Sequence, residues 1–212
     1  MYIAGKEEHH KIYESYFVRD LRHGNFSSLF PTIIFPNDYH NEPVIRFAPS
    51  QHEDQITEYE QRKLTKEWID ILNNNRLPLI EVQTVTSITQ RIFDGLCLQN
   101  SIESLRIKLL NCKDLSKISN LSNLKKLFIE CGSKIEDITP LTELKDLEIL
   151  ILGETNKITD YSCLKVLKNL KVFSVCAYQT KLVSSVKMRS TDFIREMTNL
   201  EYLDIVDVKI SE

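Results

Sequence analysis

The chain has 212 residues, of which 42% are hydrophobic and 27% charged, with a formal net charge of −3 and a pI near 6.0. That composition suits a globular protein with a sizeable core, and it lacks the strongly basic balance of a non-specific nucleic-acid binder. With only 5 Gly and 6 Pro, long flexible linkers and low-complexity segments are not expected.

The first ten residues, Met1 to His10, show no apolar stretch behind a basic one, so no secretory signal is read there. No run approaches the roughly 18 apolar residues of a membrane span. The five cysteines (Cys97, Cys112, Cys131, Cys163 and Cys176) are odd in number and contain no CxxC pair. Reduced, mostly buried thiols are the expectation, with neither a disulfide framework nor a zinc knuckle, and a cytoplasmic setting follows.

No element is assigned to residues 1–30. Thr32–Phe35 and Val44–Phe47 read as strands joined by a Pro-Asn-Asp loop. A helix is expected at about 51–74, opened by a capping box of Ser50 and Glu53, with Ile56, Tyr59, Trp68 and Leu72 on its apolar face. The run Asn73-Asn74-Asn75 and then Pro78 should end it. Leu79, Val82 and Thr84 open a degenerate repeat spanning 79–101, whose return leg is Ile88–Leu98 with Ser87 and Gln90 as its capping pair.

Repeats then start at residues 102, 124, 147, 170 and 200, in steps of 22, 23, 23 and 30. Each opens with apolar residues at its positions 1, 4 and 6, as in Leu124, Leu127 and Ile129, or Leu147, Leu150 and Leu152. Alternation across positions 4 to 6 is strand periodicity. The spacing then changes to threes, as in Ile135, Ile138, Leu141 and Leu144, or Ile158, Tyr161, Leu164 and Leu167, which suits a 3₁₀ or helical return leg. A polar residue recurs at position 10 (Asn111, Ser133, Asn156, Gln179) and is expected to form a ladder that satisfies backbone groups in the turn. No such unit buries its apolar face alone, so the units must stack.

These segments resemble the leucine-rich-repeat family, and IEDITPLTELKDLEIL (135–150) is similar to its short, bacterial, internalin-type class. Two departures stand out: one extra residue in each turn, and a seven-residue insertion in the fourth repeat. The resemblance implies an α/β fold, a leucine-rich-repeat solenoid over 79–212 with a parallel sheet on its concave face and short helical or 3₁₀ return legs. An α/β amino-terminal cap is expected at 1–78. The resemblance also implies a binding module with a protein partner rather than an enzyme; the chain's size, with no catalytic motif or membrane anchor, suggests an inhibitor or immunity-type protein that masks its partner.

Chemistry finds little support in the residues. His9 and His10 are adjacent and share no helical face; Asp38-Tyr39-His40 and His52-Glu53-Asp54 could bring ligands together in space, but with no structural reason to converge they read as loop polarity. All histidines precede residue 53 and all cysteines follow residue 96, and no GxSxG, Walker loop, GxGxxG or HExxH occurs. No catalytic residue, metal or cofactor is expected, and no nucleic-acid or membrane partner.

Where positions 4 and 6 point into the core, positions 3, 5 and 7 point onto the concave face. There Phe128, Ile149, Ile151, Val172 and Tyr202 form an apolar stripe, flanked by Arg106, Lys108 and Lys126 on one side and Asp204 on the other. A charged rim around an apolar patch is the anatomy of a protein interface. The competing readings are β-propensity alone, or cover by the amino-terminal region or by the fourth-repeat insertion around 180–191, which carries Lys181, Lys187 and Arg189. Self-association, through the stripe or the carboxy-terminal edge near Ile210, and a small enzyme built on the amino-terminal region are the alternative functions.

Overall fold

The computed structural model describes residues 30–49, 56–176, 186–206 and 208–211. Ten strands run in chain order: β1 Thr32–Ile33, β2 Val44–Phe47, β3 Glu81–Ser87, β4 Ser104–Lys108, β5 Lys126–Glu130, β6 Ile149–Gly153, β7 Val172–Cys176, β8 Val186–Met188, β9 Tyr202–Val206 and β10 Val208–Ile210. Eight of them form one parallel sheet in the order β1-β2-β3-β4-β5-β6-β7-β9, and β8 pairs in parallel with β10.

The repeat period dictates this sheet. Each step of about 23 residues returns the chain to the same height, so equivalent positions fall in register. Leu105, Leu127, Leu150, Phe173 and Leu203 make one row across β4 to β9, and Ile129, Leu152, Val175 and Ile205 make another. The first row points into a single core together with the return legs. Each such side chain contributes about 1.5–3 kcal/mol when fully buried.

The legs Ser116–Asn120, Thr139–Glu143, Ser162–Val166 and Asp192–Glu196 are 3₁₀ turns, as the spacing of three requires. Their apolar residues, including Ile138, Leu141, Leu144, Tyr161, Leu164 and Leu167, are buried. Three legs share a start signal that the sequence reading missed. Asp114, Asp137 and Asp160 each accept the backbone N–H two residues on, from Ser116, Thr139 and Ser162, at 2.8–2.9 Å. The Thr139 hydroxyl and then its N–H hold the Asp137 carboxyl below its ordinary value of 3.8, and Ser162 does the same for Asp160 with help from Arg189. A depressed folded-state value stabilises the fold above the unfolded value and is lost as pH falls through the folded one. The Asp137→Asn/Asp160→Asn variant should therefore lose less stability than the wild type as the pH falls below about 5 in urea titrations. Equal losses in both proteins would remove the acidic caps from the account.

The polar ladder at position 10 does not form. Asn111 is exposed and accepts from the Lys134 ammonium at 3.0 Å, Ser133 and Asn156 are half-buried, and Gln179 lies outside the described residues. The extra residue in each turn shifts the frame: Cys131 and Glu154 adopt positive φ of 57° and 56°, and the buried polar group becomes Thr155, bonded to the Tyr161 hydroxyl at 2.9 Å. A ladder does exist, on the asparagines just before β5, β7 and β9, with Asp146 in that place before β6. Asn123, Asn169 and Asn199 donate to the carbonyls of Asn100, Lys145 and Lys168 in the preceding repeats at 2.8–3.0 Å. Beside it, position 2 alternates in charge: Lys125 pairs with Glu103 and Lys171 with Glu148, each at 2.8 Å, with Glu201 next in line.

At the amino-terminal side, β1 and β2 are parallel and continue the same sheet, since β2 pairs with β3. The helix is shorter than expected. Helix α1 spans Glu58–Asn74 and opens on a capping box of Thr57 and Glu60; Ser50 and Glu53 lie outside the described residues. Its buried face is Leu64, Trp68, Ile69 and Leu72, whereas Tyr59, expected there, is 76% exposed. Trp68 and Leu72 lie on the buried face as expected, and Tyr59 falls in the exposed first turn that the Thr57 cap opens. Helix α2, Gln90–Leu96, likewise starts two residues later than expected, on a Thr89 cap, and Ser87 ends β3 instead. Gln90 bonds outward to Asp94 and to the backbone of Lys113 and Asp114.

The two helices meet closely at Gly95, where a Cβ would sit 2.8 Å from the Leu72 Cβ. The buried Gln99 side chain ties the junction. It donates to the carbonyls of Leu72 and Gly95 and accepts from the Leu77 N–H.

Candidate functional site

The register places all nine sequence-selected residues on one face of the sheet, opposite the core rows. Position 3 runs Ser104–Lys126–Ile149–Val172–Tyr202, and position 5 runs Gln83–Arg106–Phe128–Ile151–Ser174–Asp204. Phe128, Ile149, Ile151, Val172 and Tyr202 form a hydrophobic cluster of their own, separate from the solenoid core. Parallel strands at about 4.8 Å spacing bring these side chains side by side.

The electrostatics differ from those of a simple charged rim. Glu130 is nearly fully buried and lies between two cations: its carboxylate accepts from the Arg106 Nε and faces the Lys108 ammonium at 3.8 Å. The Arg106 guanidinium also stacks over the Phe128 ring at 4.8 Å from its centroid, which is cation–π geometry. The Lys108 ammonium further donates to the Val85 carbonyl at 3.0 Å. The basic flank is therefore internally compensated, and Lys126 has interactions as well.

Asp204, expected on the rim, is only 1% exposed, and its carboxylate accepts from the Ser174 hydroxyl at 3.2 Å. The stripe itself, expected to face water, is 1–8% exposed. Alternation showed that these side chains leave the core; it could not show what meets them on the far side. A clue was nonetheless present. The unbroken run Ile149-Leu150-Ile151-Leu152 is the pattern of a parallel strand buried on both faces.

Nothing described here supplies a reactive centre. Burial pushes the Cys112 thiol up to about 12 and Cys131 to about 11, and Cys97 is raised further by burial and Asp94. Thiols held so high are poor nucleophiles. His40 is the only histidine among the described residues, where no group of three or more side chains has metal-ligating geometry. His9, His10, His52, Glu53 and Asp54 lie outside them, as do Lys181 and the first half of the insertion, while Lys187 lies on β8 and Arg189 faces Asp160 at 3.8 Å. On the outer side, a groove between the second and third legs is lined by Glu136, Asp137, Lys157 and Asp160, but Asp137 and Asp160 are engaged as leg caps and Lys157 pairs with Glu136. Among the described residues, no helix is long and apolar enough to cross a membrane.

A parallel sheet with one short strand per repeat of about 23 residues, returned by 3₁₀ legs and ordered by an asparagine ladder, defines a leucine-rich-repeat solenoid. Among solved structures it is similar to internalins of Listeria monocytogenes. One is an internalin C2, 24% identical, with a TM-score of 0.49, covering 78% of this chain and 63% of that one. Another, inlF, is 14% identical with a TM-score of 0.47, covering 80% of this chain and 49% of that one. This chain thus spans less than two thirds of either. No family model and no curated protein matches it.

Proposed function

We propose that this chain is a non-enzymatic protein-binding module that takes a polypeptide on the concave face of its sheet. The observation that supports this most is the second hydrophobic cluster. Phe128, Ile149, Ile151, Val172 and Tyr202 add nothing to the solenoid interior, yet they are gathered on one face beside the Arg106–Glu130–Lys108 group. Apolar side chains on a sheet face gain their stabilisation only when another surface covers them. Aromatic and arginine groups at the centre of such a patch are the usual energetic anchors of an interface.

The test is affinity capture of a partner by the wild type beside Phe128→Ala, with both proteins shown to be folded by circular dichroism. Phe128 lies outside the main core, so truncation should leave the repeats intact. A partner held by the wild type and lost by the variant is the expected result. An identical set of partners with both proteins would remove the concave face from the reading.

A further inference from the structure

The lateral side of the solenoid, where the chain leaves each strand for its leg, carries a row of lysines set by the repeat. In line with Asn111 come Lys134, Lys157, Lys187 and Lys209, at steps of 23, 23, 30 and 22. Contacts between coils define the row. The Lys134 ammonium donates to the Asn111 side chain of the preceding repeat at 3.0 Å, and Lys157 pairs with Glu136, also one repeat back. The Arg189 N–H donates to the Thr159 carbonyl at 2.7 Å, and Lys187 and Lys157 each stand two residues before those groups. Lys187 and Lys209 are direct partners on β8 and β10. All four lysines are exposed, as are Lys113 and Arg189, two residues beyond the row on the same side.

These charges are not balanced where they stand. Like charges directly opposite on neighbouring strands destabilise a sheet. Lys187 and Lys209 nevertheless face each other, and among the described residues neither has a carboxylate within ion-pair distance. Elsewhere the chain does the opposite, setting Lys125 against Glu103 and Lys171 against Glu148. The nearby acids are engaged. Glu136 is shared by Lys157 and Lys113, while Asp114, Asp137 and Asp160 each accept a backbone N–H of their legs, and Asp160 also faces Arg189. The excess of positive charge therefore gathers at the β8–β10 end of the row, on a chain whose net charge is −3.

We infer that this row is a second binding surface, for an acidic polypeptide segment, independent of the concave face. Charge complementarity names the chemistry. A lysine ammonium is a point charge on a flexible stem, which suits carboxylates carried by a chain of varied shape. Four lysines over three strand spacings span about 14 Å. An extended segment with Asp or Glu at alternate positions places a carboxylate about every 6.7 Å, so three of them meet the row. Nucleic acid fits less well. The row would neutralise about three phosphates, where DNA-binding surfaces commonly engage about 6–10. Bases also need exposed aromatic rings to stack on, and among the described residues the large exposed aromatics are Phe35, just beyond β1, and Tyr59 on α1, away from the lysines.

The test is fluorescence anisotropy of a labelled peptide of alternating Glu and Ser, titrated with the full chain at low ionic strength, where surface charges act over about 30 Å. Lys187→Gln/Lys209→Gln should bind the peptide about five- to tenfold more weakly than the wild type. Lys66→Gln/Lys117→Gln removes the same charge from α1 and the first leg and should bind like the wild type. Because the first variant relieves a like-charge contact, its urea midpoint should equal or exceed that of the wild type. The assignment is overturned if the wild type does not bind the peptide, if the two variants lose affinity equally, or if Lys187→Gln/Lys209→Gln unfolds more readily than the wild type. A single-stranded oligothymidylate, or phosphatidylserine vesicles, held more tightly than the peptide and released by the same variant would move the surface to nucleic acid or to membrane and overturn it likewise.

Discussion

Trp68→Ala should cost about 3–5 kcal/mol of stability, the range for deleting a buried large aromatic. The indole is the piece that fixes α1 to the first strands. It packs edge-on against Phe47 with centroids 4.8 Å apart and against Tyr39 at 6.5 Å, and its Nε1 donates to the Ile34 carbonyl at 2.6 Å. Cavity and unsatisfied carbonyl therefore arise together. Urea unfolding gives the size, and hydrogen exchange gives the place: protection should fall first in β2 and α1, and last in β6. Trp68→Phe keeps most of the apolar volume and loses the hydrogen bond, so it should cost clearly less. Equal costs for the two variants would show that the bond, and not the packing, holds the helix.

A second large effect is expected at the other end of the sheet. Phe173 is fully buried, sits in register between Leu150 and Leu203, and meets Phe193 edge-on at 6.1 Å. It thus joins β7 to both the last strand and the last leg. Phe173→Ala should cost about 3–5 kcal/mol. In a stacked array each repeat is held by its neighbours, so the loss should appear mainly as early opening of β9 and the Asp192–Glu196 leg, with β3 to β5 still protected. Uniform loss of protection from β3 to β9 would instead show that the whole sheet unfolds as one unit.

The repeat was legible in the sequence because burial repeats with it. Leu127, Leu150 and Phe173 occupy equivalent sites, and a fixed step between apolar residues is a direct imprint of stacking. The return legs were legible for the same reason, through the spacing of Leu141 and Leu144. Local polar chemistry was harder to read. Ser50 and Thr57 both begin a capping-box pattern, and the letters alone do not tell which of them opens the helix at Glu58. Asn111 and Asn123 are alike as letters, but the turn places one in water and the other against the carbonyl of the preceding repeat. At the candidate site, the nine residues came out on one face as expected, while their burial was not foreseen. Asp204 in particular was placed on the rim because a charge is ordinarily solvated, and nothing local to the strand marks it as covered.

The alternating charges at position 2 carry a rule of parity. Glu103, Lys125, Glu148, Lys171 and Glu201 each sit one strand from a residue of opposite sign. Excising a single repeat, residues 124–146, would set Glu103 beside Glu148, whereas excising two, residues 124–169, would set it beside Lys171. Shortened or lengthened versions of this array should thus keep their charge pairing when repeats are exchanged in twos, and lose it when they are exchanged singly.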